Sequence, residues 1–183
     1  MGLTDELKKI FYNEENTTNI VFELGSIFTK YDLFALVGRA AVDIQLGNPL
    51  EEYKMVELLT PYDKISSSVN ELIRNGYKIK SVVNGKSFYE VKLQKENRLP
   101  VRIYAYESLP DVLKDSMTKL VSNNVAAYDV IVPSIEDIFL VGLIHDKTYT
   151  PLMEKVDKEK AHNKYLKFPE DLKNKMEGKF ELD

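Results

Sequence analysis

Cysteine is absent from this 183-residue sequence, and only two histidines are present. Without cysteine, the chain can form neither disulfide bonds nor thiolate metal sites. His145 and His162 are the only imidazole ligands in the sequence, so a zinc site is not expected. The polar start of the chain lacks the apolar core of a signal peptide, and no apolar run approaches the roughly 20 residues that span a bilayer. We therefore predict a cytoplasmic protein with no membrane partner.

A strong charge imbalance is also lacking, because the formal net charge is −4. No global positive field attracts nucleic acid, so the charge does not indicate a nucleic-acid partner. A charged fraction of 30% without cysteine favours a thermophilic protein, whereas the twelve asparagines favour the opposite.

The length and the hydrophobic fraction of 44% are sufficient for one well-buried core. We predict three parts along the chain. Residues 1–32 form N-terminal helices packed on the core, residues 33–149 form the central domain, and residues 150–183 form a C-terminal helical extension.

The organising stretch runs from Leu33 to Leu59 and predicts a strand, a tight turn, a short helix and a second strand. Leu33 to Val37 is a continuous apolar run, which is typical of a strand covered on both faces. Gly38 follows where the backbone has to turn sharply. The small residues after it favour a helix that Gly47-Asn48-Pro49 ends, and Met55 to Leu59 is the next apolar run.

Further segments alternate between helix and strand signals. The predicted helices cover about 4–13, 16–30, 64–75, 110–121 and 133–147, followed by two short helices interrupted near Pro169. The predicted extended segments cover 77–83, 86–93, 101–106 and 125–132. Asn84-Gly85 between two of them predicts a hairpin, and Ser134 with Asp137 has the spacing of a helix cap. The fold class is therefore α+β, with a mixed sheet of about five to six strands flanked by helices.

The organising stretch resembles the minimal nucleotidyltransferases, and among them the abortive-infection-type toxins. That family has a glycine turn followed by a small residue, which Gly38 and Ala41 match, while Arg39 stands in place of the second glycine. The family's Asp-x-Asp positions fall on Met55 and Glu57. A toxin-like relative also implies a partner protein.

Two later motifs extend the resemblance over residues 33–145. The family's third acid follows a Val-x-Ile pattern, here Val101 to Ile103, so its position falls on Tyr104. A late helix with the pattern Ser-x-Glu-Asp matches Ser134, Glu136 and Asp137, and the family's lysine position there falls on Gly142.

Nucleotidyl transfer needs carboxylates that hold magnesium ions between the triphosphate and the attacking oxygen. The thioether of Met55 is a poor magnesium ligand, and Tyr104 is neutral near pH 7. We therefore predict an inactive nucleotidyltransferase-like protein that acts as a nucleotide-binding or regulatory module, with a nucleotide or a partner protein as its ligand. No cofactor and no metal site are expected.

Two alternatives remain open. In the first, the chain is an active magnesium-dependent nucleotidyltransferase with relocated acids, in which Glu57 acts with Glu52 or Glu90. In the second, it is a protein-interaction scaffold that retains only the fold. The sequence does not indicate an oligomeric state.

The candidate ligand-binding residues are Gly38, Arg39, Met55, Glu57 and Tyr104, and Glu57 is the one catalytic candidate. Arg39 either clamps an anion at a helix start, or it is a solvated arginine or pairs with Glu57 or Glu52. His145-Asp146 is either a general base with its orienting acid or the end of a helix.

Overall fold

The computed structural model describes residues 17–28, 35–48, 53–85, 88–106, 120–121, 130–145, 147 and 150–179. Its main feature is a five-stranded sheet with the order β1-β2-β5-β4-β3. The strands are β1 (Ala35–Val37), β2 (Val56–Pro61), β3 (Lys78–Asn84), β4 (Phe88–Gln94) and β5 (Val101–Tyr106). β2 and β5 are parallel, and the other neighbours are antiparallel. The predicted mixed sheet flanked by helices is confirmed.

Seven α-helices lie in the described part of the chain. They are α1 (Thr17–Phe28), α2 (Gly38–Leu46), α3 (Ile65–Arg74), α4 (Ile135–Ile144), α5 (Thr150–Met153), α6 (Lys158–Tyr165) and α7 (Glu170–Met176). A short 3₁₀ helix, Tyr62–Lys64, precedes α3, and β6 (Leu120–Val121) pairs with β7 (Val130–Ile131) in a separate antiparallel sheet. One hydrophobic cluster contains buried residues from α1 to α7, so helices and sheet enclose a common core.

The strand–turn–helix–strand prediction is confirmed by β1, α2 and β2. Gly38 begins α2 with a φ of +72°, a left-handed backbone conformation that residues with a side chain rarely adopt. Gly47 ends the helix in the left-handed conformation, and its neighbour Asn48 donates its backbone N–H to the carbonyl of Asp43 at 2.8 Å. β1 then lies antiparallel to β2, with Val37 opposite Glu57.

The hairpin predicted at Asn84-Gly85 is also confirmed, because β3 and β4 pair with each other, but Asn84 is itself the last residue of β3 and pairs with Tyr89. A register shift between Ile79 and Ser81 marks a β-bulge. Beyond the bulge, Val82 lies opposite Val91 and Val83 lies opposite Glu90.

Strand register separates two faces of the sheet. Glu57 lies opposite Arg102 and Leu59 lies opposite Tyr104, so these side chains project from one face. We call it the site face. The other face carries Leu58 and the residues that alternate with it, and α3 covers part of that face. No helix among the described residues has the length and apolarity needed to cross a membrane.

The helix predicted over 110–121 does not reach its predicted end, because Leu120 and Val121 belong to β6, and the rest of it lies outside the described residues. The extended segment predicted over 125–132 contains β7, and the helix predicted over 4–13 lies outside the described residues. Within the described residues after α4 there are three short helices where two were predicted, because Asp157 provides an additional helix start by accepting a hydrogen bond from the backbone of Lys160. The division into three parts stays a prediction.

Candidate functional site

Glu57 lies near the start of β2, and its side chain is only 9% exposed. The turn at Gly38 passes directly over it. A Cβ atom added to Gly38 would overlap Oε2 of Glu57, so the absence of a side chain at this turn makes room for the carboxylate. The two residues are brought together because Val37, immediately before the turn, pairs with Glu57 across the sheet.

Two side chains hold the other carboxylate oxygen of Glu57. The Tyr104 hydroxyl donates a hydrogen bond to Oε1 over 2.5 Å, and the ammonium group of Lys147 forms an ion pair with the same atom. Lys147 Nζ also lies 3.1 Å from the Tyr104 hydroxyl oxygen. The carboxylate, the phenol and the ammonium group therefore form one closed hydrogen-bonded group, which we call the Glu57 cluster.

Arg102 joins the Glu57 cluster to the next strand. Its Nη1 lies 3.3 Å from the Tyr104 hydroxyl, and its Nε lies 3.1 Å from Oε1 of Glu90. Burial lowers the pKa of Arg102, but the hydrogen bond to Tyr104 and the charge of Glu90 outweigh that effect and raise it. Two carboxylates and two cations thus face each other here, and their formal charges cancel.

The tyrosines of this face remain protonated. Burial, followed by the nearby charge of Glu57, raises the pKa of Tyr104 well above its ordinary value, and burial does the same for Tyr106. His145 ends α4 and stacks on Tyr104 with ring centroids 3.9 Å apart, while its Nε2 is hydrogen-bonded to the Tyr106 hydroxyl. Asp146, the acid suggested as its orienting partner, lies outside the described residues.

Of the five residues singled out from the sequence, the structure brings three together: Gly38, Glu57 and Tyr104. Met55 is half-buried and lies just before β2 begins. Arg39 extends from the first turn of α2 and pairs with Asp43, with Nε 3.2 Å from Oδ2. The roles that we assigned to these residues stay predictions.

Arg39 is part of a local group around Asp43, which is only 2% exposed. The hydroxyl of Tyr53 donates to Asp43 Oδ2, and the amide of Asn48 lies 3.4 Å from Oδ1. These bonds tie the end of α2 to the segment that leads into β2.

Lys147 was missed by the sequence analysis. Its backbone N–H donates to the carbonyl of Gly142 at 2.8 Å, so the chain folds back over the end of α4 and directs the lysine towards β2. One signal was present: Lys147 is the first lysine after Gly142, the position at which the resemblance expects a lysine.

The start of α4 has a structural network of its own. The Ser134 hydroxyl accepts a bond from the backbone N–H of Asp137, which confirms the predicted cap. The Asp137 side chain is fully buried, and Lys164 of α6 lies 2.7 Å from its Oδ1. Two of the family-matching residues thus anchor α6 to α4.

The donors at the Glu57 cluster do not fit a pair of magnesium ions. The two neighbouring acid positions hold Met55 and Tyr104, and the remaining carboxylate is already bonded to the Lys147 ammonium. In the part of the chain that the structure describes, no three His, Cys, Asp or Glu residues lie close enough together to hold a metal ion.

No family model matches this sequence, and no curated protein matches it significantly. Solved structures are similar in fold. The solution structure of the antibiotic-resistance factor ANT(2'')-Ia aligns with a TM-score of 0.55 and 12% identity, covering 87% of this chain and 80% of that one. The crystal structure of ANT(2'')-Ia with adenylyl-2''-tobramycin aligns with a TM-score of 0.51 and 11% identity, covering 86% and 84%.

The lincomycin-bound lincosamide adenylyltransferase LnuA aligns with a TM-score of 0.45 and 20% identity, over 53% of this chain. This chain covers 60% of the LnuA chain. The site geometry and the longer alignments to ANT(2'')-Ia together show that the chain has the nucleotidyltransferase fold. Identities this low show the fold alone, and they assign neither activity nor substrate.

Proposed function

We propose that this chain is a nucleotidyltransferase-fold protein without transfer activity, which acts as a nucleotide-binding or regulatory module. The observation that carries the proposal is the Lys147 ammonium bonded to Glu57 at the position where the fold's carboxylates would hold magnesium. A positive charge fixed on the one remaining acid repels a divalent cation.

The chemistry of the Glu57 cluster supports the same conclusion. In two-metal catalysis, the ions stabilise the transition state by several kcal/mol, and the ions need hard oxygen ligands. Here the family's acid positions hold a thioether, one carboxylate and a phenol whose pKa is raised by burial. A protonated phenol remains neutral and cannot replace an anionic ligand.

Binding of a nucleotide without metal is compatible with this arrangement. Lys147 and Arg102 supply cationic N–H donors, which recognise phosphate oxygens. Lys147 is 30% exposed, so a phosphate group can approach it from solvent. The ANT(2'')-Ia structure with adenylyl-2''-tobramycin is a neighbour of the same fold that contains an adenylylated ligand.

The direct test is a transfer assay with α-labelled nucleoside triphosphates, magnesium, and RNA, protein or small-molecule acceptors. We expect no incorporation above that of the Glu57→Gln variant. Magnesium-dependent incorporation that Glu57→Gln abolishes would contradict the proposal and support the alternative enzyme with relocated acids.

A gain-of-ligand variant tests the physical reason. Met55→Asp/Tyr104→Asp/Lys147→Ala restores the carboxylates and removes the competing ammonium, and the matched control carries Asn in place of both new Asp residues. By calorimetry with Mn²⁺ or Mg²⁺, the acid variant should bind the ion, and the Asn control and the parent should not. Comparable binding by the parent would show that other acids supply the site.

The ligand class is tested by thermal unfolding with ATP or GTP in the presence of a chelator. A nucleotide that binds only the folded state raises the melting temperature in proportion to RT ln(1 + [L]/Kd). We expect a rise that Lys147→Met reduces. No rise at millimolar nucleotide would contradict the nucleotide-binding role and leave a protein-interaction role.

A further inference from the structure

The outer edge of β3 is an unusual surface for a folded domain. All seven residues of the strand are exposed, including Ile79 at 47%, Val82 at 53% and Val83 at 47%. β3 is the last strand of the sheet, and among the described strands it pairs only with β4. An open edge with several exposed β-branched residues is a template for pairing with another strand.

A groove continues from this edge across one face of the molecule. It has a volume of about 590 Å³ and runs between α3 and the β3–β4 hairpin, with Ile65, Val69, Val82 and Val91 among its apolar lining residues. Because Val82 pairs with Val91, and Val91 pairs with Ile103, the groove lies on the face opposite the Glu57 cluster. It is therefore separate from the candidate functional site.

We propose that a second copy of this chain binds here, with its β3 pairing antiparallel to β3 across a twofold axis beside Val82. In a continuous sheet, the side chains of residues that lie opposite each other on neighbouring strands must project from the same side of the sheet. A register with Val82 opposite its own copy satisfies this rule and places Ser81 opposite Val83. The two apolar grooves then join side by side at the paired valines.

Charge complementarity favours this occupant. In the same register Lys80 lies opposite the second copy's Asn84. Asn84 pairs with Tyr89 on the neighbouring strand. The ring centroid of Tyr89 lies 5.2 Å from that of Tyr62, and Asp63 follows Tyr62 in the chain. Asp63 lines that end of the groove. Each copy thus directs Lys80 towards the acidic end of the other groove, and the lysines of the two strands lie at opposite ends.

The symmetry makes the assembly finite. A twofold interface uses the same patch on both copies, so the open edge of each β3 is covered by the other and none remains for a third copy. The product is a dimer with one continuous ten-stranded sheet, since each copy contributes its five strands.

The sharpest test uses the absence of cysteine from the chain. Directly opposed residues in antiparallel strands have Cα atoms about 4.5–5.5 Å apart, which is within the range of a disulfide bond. Val82→Cys should therefore give a covalent dimer on mild oxidation. Leu166→Cys is the matched control, because Leu166 is an equally exposed apolar residue at 54% but lies beyond α6.

A charge exchange tests the register independently. Lys80→Glu and Asp63→Lys each bring like charges towards each other in a homodimer, whereas in a mixture of the two variants opposite charges again face each other. Sedimentation should show weakened self-association of each variant and a heterodimer in the mixture. The proposal is overturned if the parent is monomeric throughout the micromolar range, or if Val82→Cys cross-links no faster than Leu166→Cys.

Discussion

Glu57 is surrounded by groups that stabilise an anion within the protein rather than by groups that would share a metal with it. Lys147 and Tyr104 both bond to the same carboxylate oxygen, and Gly38 leaves space for the other. A buried ion pair is sensitive to the loss of one member, because the remaining charge is left without a partner.

We expect Lys147→Met to lower the free energy of unfolding by roughly 3 kcal/mol, since Glu57 loses its counter-charge in a nearly closed environment. Glu57→Gln/Lys147→Met should regain most of that loss, because neither charge remains. Urea denaturation of the two single variants and the double variant measures the coupling in a double-mutant cycle. A loss below about 0.5 kcal/mol for Lys147→Met would show that the pair is a screened surface contact.

Gly38→Ala should be more destabilising than Gly47→Ala. Both glycines have a φ of +72°, so both variants lose about 1 kcal/mol from the backbone conformation alone. Only the Gly38 variant places a Cβ against the Glu57 carboxylate, whereas no atom lies within 4 Å of a Cβ at Gly47. Comparing the thermal unfolding of the two variants isolates the destabilisation caused by the steric overlap with Glu57. Equal losses of stability in both variants would contradict the close approach of Gly38 to Glu57.

At the scale of elements, the local signals predicted β1, α2, β2 and the β3–β4 hairpin well. Gly38, Gly47 and the Asn84-Gly85 pair stand at or next to the turns, and their backbone preferences act over a few positions. The end of the helix predicted over 110–121 was wrong, because short apolar runs such as Leu120–Val121 fit either a strand or a helix.

Helices α4 and α6 are joined by the ion pair between Asp137 and Lys164, in which Asp137 is fully buried. We expect Lys164→Met to destabilise the protein by roughly 3 kcal/mol, because the buried Asp137 then loses its ion pair with the Lys164 ammonium. Lys160→Met is the matched control on the same helix. Its ion pair with Asp157 is exposed and screened by solvent, so the free energy of unfolding should stay nearly unchanged.

Hydrogen exchange should also locate the effect of Lys164→Met. Protection should fall in α6 and α7 before it falls in the sheet, since the variant removes a link between the C-terminal helices and α4. A uniform loss of protection would indicate that these helices unfold together with the sheet.

At the scale of the whole molecule, the buried tyrosines should make the stability of the fold decrease at high pH. Burial is the main cause that raises the pKa values of Tyr77, Tyr104 and Tyr106 above the ordinary value. These groups are neutral in the folded state and ionise near pH 10 in the unfolded chain. The unfolded state therefore loses protons first, so the contribution of these three tyrosines to stability should be constant below about pH 10 and fall as the pH rises above it.

Tyrosinate absorbance measures this directly. Tyr77, Tyr104 and Tyr106, the tyrosines that are buried in the described part of the chain, should ionise only as the protein unfolds, in step with the loss of circular dichroism. Tyr104→Phe should reduce that late step by one tyrosine. Titration of these three tyrosines in the folded protein would contradict their burial.

The Glu57 cluster was only partly predictable. The resemblance placed Glu57 and Tyr104 at acid positions and Gly38 at the turn, and the structure brings these three together. Lys147 was missed because no periodic or turn signal links it to β2, and Arg39 pairs with Asp43 within its own helix. Ion-pair partners are chosen by proximity in the fold, which spacing along the chain does not report.

The sequence by itself determined the strand–turn–helix–strand unit, the hairpin and the replacement of two acids by Met55 and Tyr104, because these follow from residue identity and from interactions over a few positions. Only the tertiary structure decided what surrounds Glu57. Lys147 is 90 residues further along the chain and reaches Glu57 because the chain folds back at the end of α4. Contacts at that separation depend on how helices and sheet pack, and no local pattern specifies them.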